Sequence, residues 1–245
     1  MRMMRTISML TGGLPLAMAF AVQANTVTFM TPTGATAGGE SVDASAVLTT
    51  GADSLTIALS NLLTAGQMHD AGQLLSDLSF TLSTTSASTG SVTSSTGTFI
   101  NVGSGGAVTS ATSGASPPDV VAWGLSNSGS NYLLNGLAGK PSLTPANLII
   151  GGTAGDSTAY SMANASIAGN KPHNPFVQGT ADFVLSIPGV SASTNVSDVI
   201  FSFSTTSGVN VTGVPRTSGV PEPATLGLLA LGLAGMGFAR RKSKS

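Results

Sequence analysis

The sequence of 245 residues contains no cysteine, few charged residues (8%) and few aromatic residues (5%). Without thiols, a disulfide scaffold and a cysteine-ligated zinc or iron–sulfur site are excluded. The low charge excludes a coiled coil with charged heptad positions and a nucleic-acid-binding domain with clustered lysines and arginines. Disorder through charge repulsion is also disfavoured, because the formal net charge is −1 and 41% of the residues are hydrophobic.

The abundant residues are small and polar: 64 are serine or threonine and 31 are glycine. The charges are unevenly distributed, with −6 over residues 25–220, +2 over residues 1–24 and +3 over residues 221–245. Positive ends are typical of membrane targeting, since lysine and arginine stay on the cytoplasmic side. The composition predicts a β-type domain with a targeting segment at each end.

The first 24 residues have the parts of a secretory signal peptide with a signal helix. Arg2 and Arg5 form its positive region, and residues 7–22 form its apolar region. We predict cleavage after Ala24, so that Asn25 begins the mature chain. The alternative, a retained membrane anchor, is disfavoured because two glycines and a proline interrupt the apolar region.

Residues 216–245 combine a short motif, an apolar run and a basic tail. The run covers residues 224–239 without a charge and would span about 24 Å as a helix, which is marginal against a hydrocarbon core of about 30 Å. This predicts a short transmembrane helix of the kind that a membrane enzyme removes. The motif before it is Val220, Pro221, Glu222 and Pro223, and the tail of residues 240–245 begins with Arg240, Arg241 and Lys242.

These features, in this order, resemble the PEP-CTERM sorting signal of exported proteins of Gram-negative bacteria. The resemblance implies recognition by exosortase, a membrane enzyme resembling sortases, which would act at the Pro-Glu-Pro motif. It implies association with exopolysaccharide and biofilm. Signal peptidase and exosortase would be the processing partners. The protein would lie in the cell envelope or extracellular matrix, tethered to the membrane by the C-terminal helix until it is processed.

Residues 25–215 contain short apolar runs between turn-rich segments, which predict an all-β domain built as an antiparallel β-sandwich or jelly roll. Alternation with period 2 places Leu55, Ile57 and Leu59 on one face of a strand. The predicted strands are residues 26–30 (an edge strand), 54–59, 78–82, 98–102, 120–124, 132–137, 148–150, 182–187 and 199–204.

Residues 182–187 and 199–204 form the clearest pair of strands, with Pro188 and Gly189 ending the first and a polar loop returning to the second. A short helix is predicted around residues 66–77, from partial helical spacing of apolar residues. The predicted core centres on seven residues: Phe183, Leu185, Ile187, Val196, Val199, Phe201 and Phe203.

Three segments of the body (54–62, 173–176 and 180–203) resemble domains that often precede this sorting signal. Such domains have no assigned catalytic chemistry. The resemblance therefore implies an exported β-domain and no particular activity.

Catalytic and metal-binding patterns are weak in the body. No Gly-x-Ser-x-Gly nucleophile elbow is present. His173 is predicted to sit in a loop whose polar side chains cap backbone groups, with a ligand contact as the alternative. His69 and Asp70 could share a site with Asp77, but an aspartate at a helix start more often caps it. Calcium would be the best-suited metal, yet the nine acids are scattered, so no ligand is assigned.

We therefore predict no catalytic, cofactor-binding or metal-binding residue, no cofactor and no nucleic-acid partner. The leading functional hypothesis is a non-catalytic exported protein of the cell surface or extracellular matrix. The alternatives are an exported polysaccharide-active enzyme, with carboxylates paired by the fold, and a carbohydrate-binding module. Tyr132 or Tyr160 on a flat face would favour the binding module, whereas Trp123 is predicted to be a core residue in a strand.

Overall fold

The computed structural model describes residues 24–84, 90–113, 120–137, 147–206 and 208–216. Three 3₁₀ turns cover Ala65–Gln67, Ala71–Gln73 and Ser104–Gly106, and among the described residues no helix has the length and apolarity needed to cross a bilayer. The predicted signal helix and C-terminal helix lie outside the described residues. The strands are β1 (Asn25–Met30), β2 (Thr36–Ala37), β3 (Glu40–Ser41), β4 (Ala44–Gly51), β5 (Ser54–Asn61), β6 (Leu75–Leu82), β7 (Ser91–Val102), β8 (Val108–Ser110), β9 (Gly124–Ser128), β10 (Asn131–Asn135), β11 (Ile149–Ile150), β12 (Phe176–Ser186), β13 (Val196–Phe203), β14 (Val209–Thr212) and β15 (Val214–Arg216).

Strand formation follows the alternation of the sequence. In β4, inward Ala44, Ala46 and Leu48 alternate with half-buried residues, and in β5 the predicted face of Leu55, Ile57 and Leu59 is fully buried. A chain with side chains that alternate in this way can bury one face of a sheet and hydrate the other. The prediction of an all-β domain is confirmed.

All the strands except the β2–β3 hairpin belong to one sheet of 13 strands, in the order β14-β13-β6-β11-β12-β5-β4-β1-β15. We call the strands on the two sides of β11 the two arms of the sheet. One arm consists of β14, β13 and β6, with β10 and β9 extending from β6. The other consists of β12, β5, β4, β1 and β15, with β7 and β8 extending from β12. The short strand β11 joins the two arms. It pairs in parallel with β12, so the sheet is mixed rather than wholly antiparallel as expected.

Both arms bury side chains in one core. Phe183 of β12 packs against Trp123 with ring centroids 5.3 Å apart, while Phe80 of β6 stacks on Tyr132 of β10 at 5.7 Å. The seven residues of the predicted core are all buried and belong to this cluster. A second cluster lies under the loops and includes Met68, Leu74, Tyr160, Ile167 and Phe176.

The predicted pairing of residues 182–187 with residues 199–204 is wrong. In the structure, β5 and β7 occupy the two edges of β12, and β6 and β14 occupy the two edges of β13. A strand has only two hydrogen-bonding edges, so β12 and β13 cannot also pair with each other. The loop between them carries the chain from one arm to the other.

The predicted helix over residues 66–77 is replaced by two 3₁₀ turns and the start of β6 at Leu75. Asp70 caps the second turn by accepting from the Gly72 N–H at 2.7 Å, and Leu74 ends it in an extended conformation. Glycine within a helix is unfavourable, and extended backbone lets Leu74 and Leu75 point into different hydrophobic clusters. Burial of both leucines therefore outweighs the weak helical periodicity.

The prediction that residues 26–30 form an edge strand is wrong, because β1 has a partner on each side. β4 pairs with β1 along its whole length, and β15 pairs with its other side, with Thr28 opposite Arg216 and Met30 opposite Val214. β15 is itself contributed by the end of the described chain. Local sequence at residues 26–30 contains no signal of a partner nearly 190 residues away, which is why the pattern indicated an edge.

The first and last strands in the order given above are consecutive in the chain and are joined by Gly213. β14 lies at one end and β15 at the other, and only Gly213 separates them. The Gly213 N–H donates to Val199 O at 2.8 Å, and a Cβ there would lie 3.0 Å from the Phe201 ring. The chain therefore crosses from one arm to the other at a point where only glycine fits without displacement of its neighbours.

Candidate functional site

The described part of the molecule contains one of the predicted processing points. Ala24 is exposed directly before β1, and Asn25 is the first residue of that strand. β15 is antiparallel to β1, so the chain leaves the sheet at Arg216 while running toward the end where β1 begins. The predicted sorting motif (Val220, Pro221, Glu222, Pro223) and basic stop (Arg240, Arg241, Lys242) lie outside the described residues.

A groove of about 600 Å³, which we call the hydroxyl groove, lies among the described residues. Its walls are the end of β5, the loop after it, the loop of residues 152–158 and the middle of β12. It is lined by Ser60, Asn61, Leu62, Leu63, Thr64, Ala65, Gly66, Gly152, Thr153, Ala154, Asp156, Thr158, Gly179 and Thr180.

Buried hydrogen bonds hold one wall of the hydroxyl groove in place. Gln178, which is fully buried on β12, donates to Asp156 O at 2.9 Å and accepts from the Gly155 N–H at 2.8 Å. The Tyr160 hydroxyl donates to Gly151 O at 2.7 Å, and burial raises the pKa of Tyr160 to about 12, so this donor stays protonated. Satisfied buried polar groups of this kind fix a loop in one conformation.

The floor of the hydroxyl groove depends on glycine. Gly179 has φ of +74° inside β12, at a register shift relative to β7 between Val177 and Ala181. A Cβ at Gly179 would lie 2.5 Å from Gly152 O, so no larger residue fits there without a backbone shift. The bulge brings the loop of residues 152–158 directly onto β12.

The polar side chains of the hydroxyl groove are five hydroxyls, the Asn61 amide and one carboxylate, and they lie beside apolar residues such as Leu62 and Leu63. Ser60 and Thr180 contact each other through their hydroxyls at 2.8 Å, and Thr64 and Thr153 are exposed beside them. The Asp156 carboxylate accepts from the backbone N–H and hydroxyl of Thr158, which lowers its pKa, so it is ionised at neutral pH. The described lining of the hydroxyl groove has no basic residue. Such a surface suits a neutral, hydroxyl-rich ligand.

A second, smaller groove of about 330 Å³ lies on the other side of Leu62 and Leu63. Asp43 and Arg216 are its charged residues, and Met30 and Thr31 at the end of β1 also contribute to its lining. Leu62 is 41% exposed and separates the two grooves. Arg216 therefore lies beside a concave surface just before the chain leaves the described domain.

The histidines serve structural contacts. His173 donates from Nδ1 to Ser166 O at 2.8 Å, while Asn174 accepts from the Val102 N–H at 2.7 Å and Phe176 is fully buried. The prediction that this loop caps backbone groups is confirmed. His69 Nδ1 lies 3.0 Å from Glu40 Oε2 on the β2–β3 hairpin. Nothing in the described residues forms a group of three or more acids and histidines fit to hold a metal.

Asp77 is the one strongly perturbed acid of the described domain. It lies on β6 and is 4% exposed, and its Oδ1 has no hydrogen-bond partner among the described residues. Burial raises its pKa to about 6, while the backbone N–H groups of Gly136 and Leu137 act in the opposite direction. Asp77 lines neither groove, and among the described residues it does not form a metal-holding group with His69 and Asp70.

The aromatic residues that sequence reasoning considered for sugar stacking are in the interior. Tyr132 on β10 is 1% exposed and Tyr160 is fully buried, so neither can lie on a flat binding face. Trp123 is also buried, as predicted, and its Nε1 donates to Asn147 O at 2.9 Å. It precedes β9 rather than lying inside a strand over residues 120–124.

Sequence reasoning missed the hydroxyl groove because its residues come from three distant segments. The available signals were Gly151-Gly152 and Gly179, since a glycine inside a strand pattern often marks a bulge or a close backbone approach. Neither signal indicates that the two segments meet.

The sorting segment itself is identified by comparison with known families. A family model described as the PEP-CTERM protein-sorting motif matches residues 219–242. The chain therefore carries the sorting signal of an exported protein, and this signal indicates sorting by exosortase to the cell envelope or surface. The match includes the predicted motif and basic stop. No curated protein and no solved structure gives a match to the chain.

Proposed function

We propose that this protein is a non-catalytic component of the cell surface or extracellular matrix that associates with exopolysaccharide through the hydroxyl groove. Sorting by exosortase delivers it to the envelope, where polysaccharide is the abundant hydroxyl-rich polymer. The signal peptide removed after Ala24 would start the export, and the C-terminal helix would tether the protein until exosortase acts. The two arms of the sheet, which share one core, would serve as the two layers of a sandwich that supports the groove.

The observation that carries this proposal is the lining of the hydroxyl groove. It combines threonine and serine hydroxyls, a rigid loop and the ionised Asp156 in a cleft of about 600 Å³. That volume falls within the range of clefts that bind small ligands, about 300–1,000 Å³. A carboxylate that accepts a hydrogen bond from a sugar hydroxyl forms the stronger, charge-assisted type of bond.

We expect Asp156→Asn to weaken binding of the mature domain to the host exopolysaccharide by at least about tenfold, since loss of a charge-assisted hydrogen bond costs about 1.5–3 kcal/mol. Asparagine can still accept from Thr158, so the loop should keep its shape. Co-sedimentation of the protein with purified exopolysaccharide, over a range of polymer concentrations, measures the change.

Asp198→Asn is the matched control, because Asp198 is exposed and lies on β13 rather than in the hydroxyl groove. The control should bind as the wild type does. If both variants bind the polysaccharide as strongly as the wild type does, the hydroxyl groove is not the binding site. Shortening of the polymer during incubation would show that the protein is an enzyme and overturn the non-catalytic part.

The processing steps have a direct test in the intact mass of the protein from its native host, measured separately in membranes and medium. We expect a mass that corresponds to residues 25 to about 222, because both predicted cuts would then have occurred. A mass for residues 25–245 confined to membranes would mean that residues 224–239 are a permanent anchor and that the motif at Pro221–Pro223 is not cut.

A further inference from the structure

The distance between the folded domain and the exosortase site is limited by the chain. β15 ends at Arg216, and Pro221 opens the Pro-Glu-Pro motif five residues later. A residue spans at most about 3.6 Å, so the motif can lie no farther than about 18 Å from the edge of the sheet. An enzyme that cuts beside this motif must enclose an extended peptide in a concave site, and the domain limits how far the peptide can enter.

β15 has the properties of a strand that separates easily. It has three residues, all exposed, and it is the last strand of the sheet path, so among the described strands only β1 pairs with it. Pro215 lacks an N–H and cannot donate to the ladder. Each of these features lowers the free energy needed to remove β15 from β1.

The chain before β15 is firmly held, in contrast. β14 pairs with β13 over four residues, and the Gly213 N–H donates to the buried Val199 of β13. Separation of β15 would therefore stop at Gly213. The number of residues from the last paired residue to Pro221 would grow from five to eight, which raises the maximum length of this part of the chain from about 18 Å to about 29 Å.

We propose that β15 is a detachable spacer, which leaves β1 so that exosortase can reach the Pro-Glu-Pro motif, and which pairs with β1 again after the cut. The end of the sheet where Arg216 lies would face the membrane during this step, since the chain continues from Arg216 toward the C-terminal segment predicted to enter the bilayer. The inference uses the exosortase processing that the sorting motif indicates and does not depend on polysaccharide binding.

A disulfide between β1 and β15 tests the proposal in the full chain. Thr28 and Arg216 lie directly opposite each other, and opposite residues of antiparallel strands have Cα atoms about 4.5–5.5 Å apart, within the range that a disulfide spans. The natural chain has no cysteine, so Thr28→Cys with Arg216→Cys allows a single pairing. Thiols of exported proteins oxidise, and alkylation before and after reduction verifies the bond.

We expect the double variant to accumulate uncut in the membranes of the native host. Its processing rate should fall at least about thirtyfold, the fold-change that even the smaller disulfide stabilisations imply for an opening step. Insertion of six glycine and serine residues between positions 217 and 218 of this variant should restore processing, because the motif then has sufficient reach without separation of β15. The readout is intact mass and the ratio of cut to uncut protein after a pulse of synthesis.

The control disulfide joins β1 to β4 instead. The hydroxyls of Thr26 and Thr49 are 2.9 Å apart on an exposed face, so Thr26→Cys with Thr49→Cys makes an equivalent bond that leaves β15 free. This variant should be processed at the wild-type rate. Wild-type processing of the Thr28–Arg216 disulfide would overturn the proposal, and so would a block that the inserted spacer does not relieve.

Discussion

Replacing Phe183 by alanine is expected to lower the free energy of unfolding of the mature domain by about 3–5 kcal/mol, enough to unfold many domains of this size. Phe183 is 1% exposed at the centre of β12 and packs against Trp123. Removal of its ring leaves a cavity between the two arms of the sheet, because strands paired on both sides cannot collapse into the space. Urea unfolding followed by tryptophan fluorescence measures the loss.

Val184→Ala is the matched control for this prediction. Val184 is the next residue of the same strand, but it points to the other face of the sheet and is 38% exposed. Its truncation should cost less than about 1 kcal/mol, since little apolar area is returned to water. A similar loss for both variants would contradict the description of β12 as a strand with one buried face.

The second large effect concerns pH. The Asp77 carboxyl has a pKa of about 6 in the folded state, compared with an ordinary value of 3.8. The folded state therefore binds more protons than the unfolded state between these values, and the free energy of unfolding falls as the pH rises from about 4 to 6. Above about pH 6 Asp77 is ionised in both the folded and the unfolded state, so its contribution lowers the free energy of unfolding by a constant amount. At 1.36 kcal/mol for each pKa unit, this loss amounts to at most about 3 kcal/mol.

Asp77→Asn should remove this dependence, because the amide does not ionise. The difference in unfolding free energy between pH 4.5 and pH 7.5 would be smaller in the variant by most of that amount, as measured by urea unfolding at the two pH values. Asp198→Asn makes the same change in charge on the surface and is the control. Identical pH profiles for wild type and Asp77→Asn would show that Asp77 is not desolvated in the folded protein.

The sequence by itself determined the features that depend on neighbours in the chain. Alternation in residues 54–59 predicted the buried face of β5, and the late apolar residues such as Phe201 and Phe203 were correctly assigned to the core. Strand period 2 is a local property, so it can be read without knowledge of the fold. The sorting signal could also be recognised from the sequence, since its motif, apolar run and basic residues are contiguous in the chain.

Which strands pair was decided only by the tertiary structure. β12 and β13 follow each other in the chain and both looked like halves of a hairpin, yet each has its edges filled by other strands. Similarly, the partner that removes β1 from the edge comes from the far end of the domain. Which strands pair depends on all the strand edges that the folded molecule makes available. A local sequence pattern carries no information about strands elsewhere in the chain.

The candidate site was also a product of the tertiary structure. Asp156, Gly179 and Leu62 lie on separate segments, and the hydroxyl groove exists only because a bulge in β12 lets two backbones approach closely. The perturbation of Asp77 has the same origin, because desolvation depends on what surrounds a carboxyl in space. Local patterning thus determined the strands and the destination of this protein, while long-range packing determined which surfaces and charges it presents there.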